Sequence, residues 1–166
     1  MSVSAGALES DGSVTEGDAM AQRSEPESPD IGDPKPSQVT DAYWLSTVRK
    51  SGEYPAHTEL GGKWLIFVPV AQIDEVWAKI KDATEKGLLG GSAKVATAMP
   101  NPNATNPNKV ICVYTYDWTD EGDVRRVREV LRTLGIVAKI PYKADNDTLT
   151  DRYTNRGHKR ISKYYE

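Results

Sequence analysis

Two lysines stand where strand patterns call for apolar residues. Lys63 lies at the entrance of GGKWLIFVPV, just before the uncharged run Leu65-Ile66-Phe67-Val68. Lys94 lies in the middle of SAKVATA, among small and β-branched neighbours. One face of most strands is buried, so a lysine inside one is either solvated on the wet face or held against an anion. An ammonium partly withdrawn from water gives up its proton more readily and becomes available as a base. Lys94 is therefore the candidate base, and Lys63 a candidate anion contact at a strand mouth. The run from Arg152 to Glu166 adds Arg152, Arg156, Lys159, Arg160 and Lys163 against one acid, interleaved with Tyr153, His158, Tyr164 and Tyr165. Guanidinium forks match phosphate geometry, which makes Arg152 and Arg156 candidate phosphate ligands with Lys63. Basic residues mixed with aromatics also suit RNA, while the plain alternative is a solvated basic tail.

Other chemistries lack their residues. The chain has no Walker loop, no GxGxxG, no GxSxG and no zinc-type Cys/His spacing. Two histidines, His57 and His158, cannot make a multi-histidine metal site. No metal and no cofactor are called for. The one cysteine, Cys112, lies in the apolar run Val110-Ile111-Cys112-Val113 and reads as a small buried hydrophobe.

The elements that must position these residues follow from periodicity. Residues 64–68 read as a buried strand that Pro69 ends, because proline cannot donate to a ladder. Ile73, Val76, Trp77 and Ile80 follow the i, i+3, i+4, i+7 template of a helix over about 72–86, closed by Gly87. Residues 92–98 and 109–116 read as strands, separated by the loop MPNPNATNPN. Thr119 is the expected N-cap of a second helix, with Asp120, Glu121 and Asp123 in its first turn. Val124, Val127, Val130, Leu131 and Leu134 form its apolar stripe, Arg125, Arg126, Arg128 and Arg132 its wet side, and Gly135 its end. Residues 136–142 read as a further strand, and the basic run has room for one more. The order implies an α+β domain, with two main helices on one face of a curved, mostly antiparallel sheet.

Charge divides the chain in two. Residues 1–42 hold nine Asp and Glu against Arg23 and Lys35, while residues 43–166 hold fifteen acids against nineteen Lys and Arg. The first segment has no aromatic residue and cannot bury enough apolar surface to offset its ordering entropy. It reads as a disordered acidic tail, and 43–166 as a single domain. No stretch approaches the ~20 apolar residues of a membrane helix. The N-terminus has neither a basic n-region nor an apolar h-region. A cytoplasmic protein that does not engage membranes is the expectation, and no oligomeric state is set.

Three blocks carry a resemblance: GKWLIFVPVAQIDEVWAKI, then SAKVAT, then KVICVYTYDWTDEGDVRRVREVLRTLGI with IPYKAD. Over roughly residues 43–160 the chain resembles the family typified by the basophilic leukaemia-expressed protein. That resemblance implies a fold like translation initiation factor 4E. Archaeal and bacterial proteins of this kind carry the label of phosphothreonine-lyase domains. A fainter similarity to phosphothreonine lyases implies β-elimination of phosphate. Lys94 then resembles the base, Lys63 the lysine on the first strand, and Tyr114 a tyrosine on the next. Those enzymes place an acid histidine two residues after the first lysine, where this chain has Leu65. His158 would supply the acid if the C-terminal run folds back over the sheet. The implied activity is a carbon–oxygen lyase acting on a phosphorylated protein. The alternative is a non-enzymatic module that binds a nucleotide, an RNA cap or a phosphopeptide. Cap binding would need two rings to sandwich a base, and Trp44 or Trp118 are the candidates, since Trp77 lies on a helical core stripe.

Overall fold

The computed structural model describes residues 33–102, 107–146 and 162–166. All the described elements lie in the unit Lys35–Glu166. In chain order they are β1 (Trp44–Val48), β2 (Gly62–Val68), α1 (Ile73–Glu85), β3 (Ser92–Ala96), β4 (Lys109–Thr115), α2 (Glu121–Thr133), β5 (Pro141–Ala144) and β6 (Ser162–Tyr165). The strands make one curved six-stranded sheet in the order β1-β3-β4-β2-β5-β6, with every neighbouring pair antiparallel. The expected α+β architecture is the one the chain adopts.

Strand alternation decides which side of the sheet the helices cover. On β2, Trp64, Ile66 and Val68 are buried, as are Ala93 and Val95 on β3, Ile111 and Val113 on β4, and Tyr142 on β5. These residues meet Ile73, Trp77, Ile80 and Ala83 of α1 and Val124, Val127 and Leu131 of α2. The Trp64 indole N–H donates to the Val124 carbonyl at 3.1 Å, which satisfies its polar atom inside the core. Full burial of a large apolar side chain contributes about 1.5–3 kcal/mol, so three on one strand outweigh what exposure of a single ring costs. The exposed ring is Phe67, on the opposite face and 42% exposed.

The helix ends follow local chemistry. After Pro69, a 3-10 turn over Val70–Gln72 leads into α1, and Gly87 ends that helix with φ +82°, as a C′ glycine does. Asp120, rather than Thr119, caps α2 by accepting from the Asp123 N–H. Thr119 is drawn instead to the Asp117 carboxylate through both its N–H and its hydroxyl.

Three further expectations are corrected. The strand expected over 136–142 is confined to Pro141–Ala144. The reason is Arg128, expected on the wet side of α2 but 0% exposed. Its guanidinium donates to the carbonyls of Ile136 (2.8 Å), Ala138 (2.7 Å) and Glu166 (2.7 Å). The Ile136 and Ala138 carbonyls face the guanidinium rather than a neighbouring strand, while that of Glu166 accepts both from it and from the Ile140 N–H. Third, the tail boundary at residue 43 falls too late. Pro36 is buried, Pro36–Gln38 form a 3-10 turn, and the Ser37 N–H and hydroxyl both bond the Asp74 carboxylate of α1. Residues 1–32 lie outside the described residues.

Replacing Arg128 by Met keeps the apolar stem, removes the donor to the Ile136 and Ala138 carbonyls and takes one of two donors from that of Glu166. We expect urea denaturation to show a loss of about 3 kcal/mol or more, from the net value of hydrogen bonds to a charged group. A change below about 0.5 kcal/mol, the level of an ordinary surface substitution, would contradict this role.

Candidate functional site

The face of the sheet away from the helices carries the other half of the alternation. Cross-strand register sets its residues in rows. Tyr114, Lys63 and Lys143 stand side by side across β4, β2 and β5. One step along, Ser46, Lys94, Cys112 and Leu65 stand side by side across β1, β3, β4 and β2. Around these rows the face forms a hollow of about 320 Å³. Lys63, Lys94, Lys143, Trp44 and Tyr114 line it, over an apolar floor that includes Leu65, Phe67 and Val110. Lys63, Lys94 and Tyr114, chosen from sequence, thus converge. Arg152, Arg156 and His158 lie outside the described residues.

The two lysines are held differently. The Lys63 ammonium donates to Asp145 Oδ1 at 2.9 Å and lies 5.8 Å from the centre of the Tyr114 ring. Its side chain is buried. Lys94 is half-buried on the open face, and its Nζ sits 3.9 Å from the centre of the Trp44 ring. Small strand neighbours therefore do not enclose it, although its sequence context, among small and β-branched residues, implies that they would. The period of two turns Lys94 outward, between the buried Ala93 and Val95, onto a diagonal aromatic neighbour.

Asp145 ties a second group to Lys63. His57, on the loop between β1 and β2, places Nε2 2.7 Å from Asp145 Oδ2. Its ring also meets Tyr114 edge-on, with centroids 6.1 Å apart. Gly61 leaves room for this ring, since a Cβ there would lie 2.0 Å from that same Nε2 and the imidazole would have to move off Asp145. Burial would raise the Asp145 carboxyl, but hydrogen bonds from Lys63 and His57 outweigh it and hold the group below the ordinary aspartate range. Burial pushes the Tyr114 phenol well above its ordinary value, with Cys112 and Asp145 adding to the effect, so this residue presents a neutral hydroxyl. Burial likewise keeps the Cys112 thiol protonated, against the opposing pull of Lys94 and Lys63.

A larger hollow, about 590 Å³, adjoins the first across Tyr114 and is lined by the 49–57 loop with Ser92, Thr115 and Tyr116. Its cation is committed elsewhere. Arg49 donates to the carbonyls of Leu89 (2.7 Å) and Gly90 (3.2 Å) and covers the Tyr54 ring at 4.7 Å. The Tyr54 hydroxyl donates to Asp123 and accepts from the Tyr116 N–H. Those groups build the wall rather than offer ligand contacts.

His57, Lys143 and Asp145 carry no role in the sequence reading. The alternation through Tyr142, which is buried, places Lys143 on the open face. Nothing local signals that His57 and Asp145 meet across 88 residues. Among the tryptophans, Trp64 and Trp77 are buried, and Trp118 packs on the core with Lys163 Nζ 4.3 Å from its ring centre. Trp44, 38% exposed, is the one that reaches the hollow. No three His, Cys, Asp or Glu side chains form a metal-ligand group among the described residues, and no helix there is long and apolar enough to cross a membrane.

The family model of the Basophilic leukemia-expressed protein Bles03 matches residues 56–150. The chain belongs to the Bles03 family. The matched range contains the whole Lys63–Asp145–His57 corner together with Lys94, Tyr114 and Lys143, whereas Trp44 lies before it. Among solved structures, this Bles03-family chain is similar to a schistosome eIF4E complexed with m7GpppA and 4E-BP. The TM-score is 0.58 at 16% identity, covering 82% of this chain and 76% of that one. A schistosome eIF4E complexed with m7GpppG and 4E-BP gives the same TM-score, identity and coverage. At that identity the likeness establishes the fold, which is eIF4E-like.

The Asp145 shift carries a pH signature. A carboxyl held below its unfolded value adds stability that is present above the unfolded pKa and lost as pH falls through the folded one. The wild-type protein should therefore be more stable than Asp145→Asn at pH 7, with the gap narrowing as pH falls below the ordinary aspartate value of about 3.9 and on through the lowered one. Paired melts across that range would show it. A gap independent of pH would mean that the Asp145 charge is not what holds the corner.

Proposed function

We propose that the open face is a binding site for a nucleotide-class ligand, with the phosphate on the lysines and a planar ring against the aromatic rim. One observation carries this reading: Lys63, Lys94 and Lys143 converge with Trp44 and Tyr114 around one apolar-floored hollow. Ammonium groups supply point-charge contacts to phosphate oxygens, and aromatic faces stack on bases of any sequence. The schistosome eIF4E structures are complexed with m7GpppA and m7GpppG, which supports carrying a nucleotide over to this fold. A sandwich of a base between two tryptophans does not follow, because Trp44 has no second tryptophan facing it in the hollow. On this reading the protein is a binding module acting in the cytoplasm, with RNA ends among its possible sources of nucleotide.

A second reading, elimination of phosphate from a phosphothreonine-bearing protein, is favoured by one feature. His57 stands at the Lys63 corner through Asp145, where Leu65 leaves an acid wanting. Lys94 would take the Cα proton, the Cα–H electrons would form the Cα=Cβ bond, the Cβ–O bond would break, and His57 would protonate the departing phosphate. Mass spectrometry of a phosphothreonine peptide would show loss of phosphoric acid. An unchanged peptide after long incubation retires this reading and leaves the binding module.

Calorimetry with AMP at low salt tests the main reading. AMP should bind, its affinity should fall as salt rises, and Lys94→Ala should weaken it about tenfold, the value of one lost charge-assisted contact. Absence of heat with AMP at high protein concentration would overturn the nucleotide site. Undiminished binding by Lys94→Ala would move it off the open face.

A further inference from the structure

Lys94 covers the ring that a base would need. Its Nζ stands 3.9 Å from the centre of the Trp44 ring, a distance that puts the ammonium over the face rather than beside the edge. Register explains the contact. Lys94 is directly opposite Ser46 on β1, and Trp44 is the diagonal neighbour two residues away on the same face of the sheet. The short Ser46 side chain leaves the lysine stem room to lean that way. On its other side Lys94 is opposite Cys112, a protonated thiol that offers it no counter-charge. Among the described residues no carboxylate pairs with Lys94, whereas Lys63 is bound to Asp145. The cation therefore rests on the ring, and a ring face at an exposed site holds a cation by a factor of only about two to five.

Resting on the nucleotide-site reading, we infer that Lys94 is a phosphate-operated cover over Trp44, so that the hollow takes phosphorylated nucleosides and refuses bare ones. One ring face cannot hold an ammonium and a base in the same place. A nucleoside has to push Lys94 off the ring, and it brings no charge to compensate. A nucleotide brings the counter-charge with it. A charge-assisted bond to a phosphate oxygen is stronger than an exposed cation–π contact, so Lys94 turns from ring to phosphate and leaves the face open for the base. Phosphate binding and base stacking are then coupled. The coupling is reciprocal, each part of the ligand tightening the other by the same factor. Lys63 and Lys143, which line the same hollow, add affinity for a phosphate. Lys94 adds affinity and also penalises the absence of a phosphate.

The test titrates adenosine and AMP into the full chain, followed by NMR shifts at pH 7.5 and constant ionic strength. The proteins are wild type, Lys94→Ala and Lys94→Ser, with Trp44→Leu alone and combined with Lys94→Ala. Lys94→Ala should move the two ligands in opposite directions. Adenosine should bind about two- to fivefold more tightly, the value of the cation–π contact no longer given up. AMP should bind more weakly, because the lost phosphate contact outweighs the uncovered ring. Lys94→Ser should repeat both results. In the Trp44→Leu background, Lys94→Ala should no longer tighten adenosine. On wild type, inorganic phosphate added with adenosine supplies the counter-charge separately and should tighten adenosine about twofold or more. That linkage decides the matter if thermal melting shows both Lys94 variants to be poorly folded. Adenosine bound no more tightly by the Lys94 variants, or bound by none of the proteins while AMP binds, would overturn the cover. If AMP binds wild type and Lys94→Ala weakens it while adenosine is not tightened, the cover falls and the nucleotide site stands. If AMP shifts no signal in any of the proteins, the site itself falls and the cover with it.

Discussion

Trp64 is buried on the helix side of β2, with its indole N–H bonded to the Val124 carbonyl of α2. With Tyr142 and Tyr164 it forms a cluster of edge-on and tilted rings, at centroid distances of 5.2, 6.2 and 5.4 Å. This anchor sets the sidedness of the sheet. A strand has a period of two, so committing Trp64, Ile66 and Val68 to the helices commits Lys63, Leu65 and Phe67 to the open face. A one-residue slip of β2 would place Lys63 in the core and Trp64 in water, and the burial of one aromatic side chain forbids it. The position of the cationic hollow is a consequence of core packing on the other side of the sheet.

Two arginines and an aspartate then hold parts that the ladder does not. Arg128 gathers the carbonyls of Ile136, Ala138 and Glu166, tying the end of α2 to the last strand. Arg49 does the same for Leu89 and Gly90 beside the loop that carries His57. Gly90 leaves no alternative there, since a Cβ would lie 1.9 Å from the Tyr114 carbonyl oxygen. Asp145 joins that loop to β2 through His57 and Lys63. The burial that makes the corner rigid would also strengthen its electrostatics, because a partly desolvated ammonium is screened less than one in water.

Much of this was legible in the sequence. The runs LIFV, KVICVYTY and the Val124–Leu131 stripe predicted their elements because burial alone dictates their pattern. Lys63 and Lys94 stood out because charge inside a strand needs an explanation, and both line the hollow. What escaped was non-local. Arg128 reads as a surface residue because helical periodicity cannot show that three carbonyls from other segments will surround it. The strand over 136–142 is shorter than its β-branched residues suggest because the carbonyls of Ile136 and Ala138 turn to that same arginine. His57 and Asp145 meet only through tertiary structure, and Gly61, which makes room for them, looks like any loop glycine. The turn at Pro36–Gln38 sits in a stretch whose composition is that of a tail, and the Ser37–Asp74 contact and the Ala98 N–H on the Pro36 carbonyl reveal its place.

The central claim is that core packing leaves an open face with Lys63, Lys94 and Lys143 around one hollow, and that this face is the proposed phosphate site. Lysine-selective NMR, following the Nζ signals as AMP is added, addresses it most directly. The account predicts that these three signals shift together along one saturation curve, while Lys79, Lys86 and Lys139, elsewhere on the fold, stay unmoved. Saturable shifts confined to those other lysines, with the three on the open face silent, would contradict it.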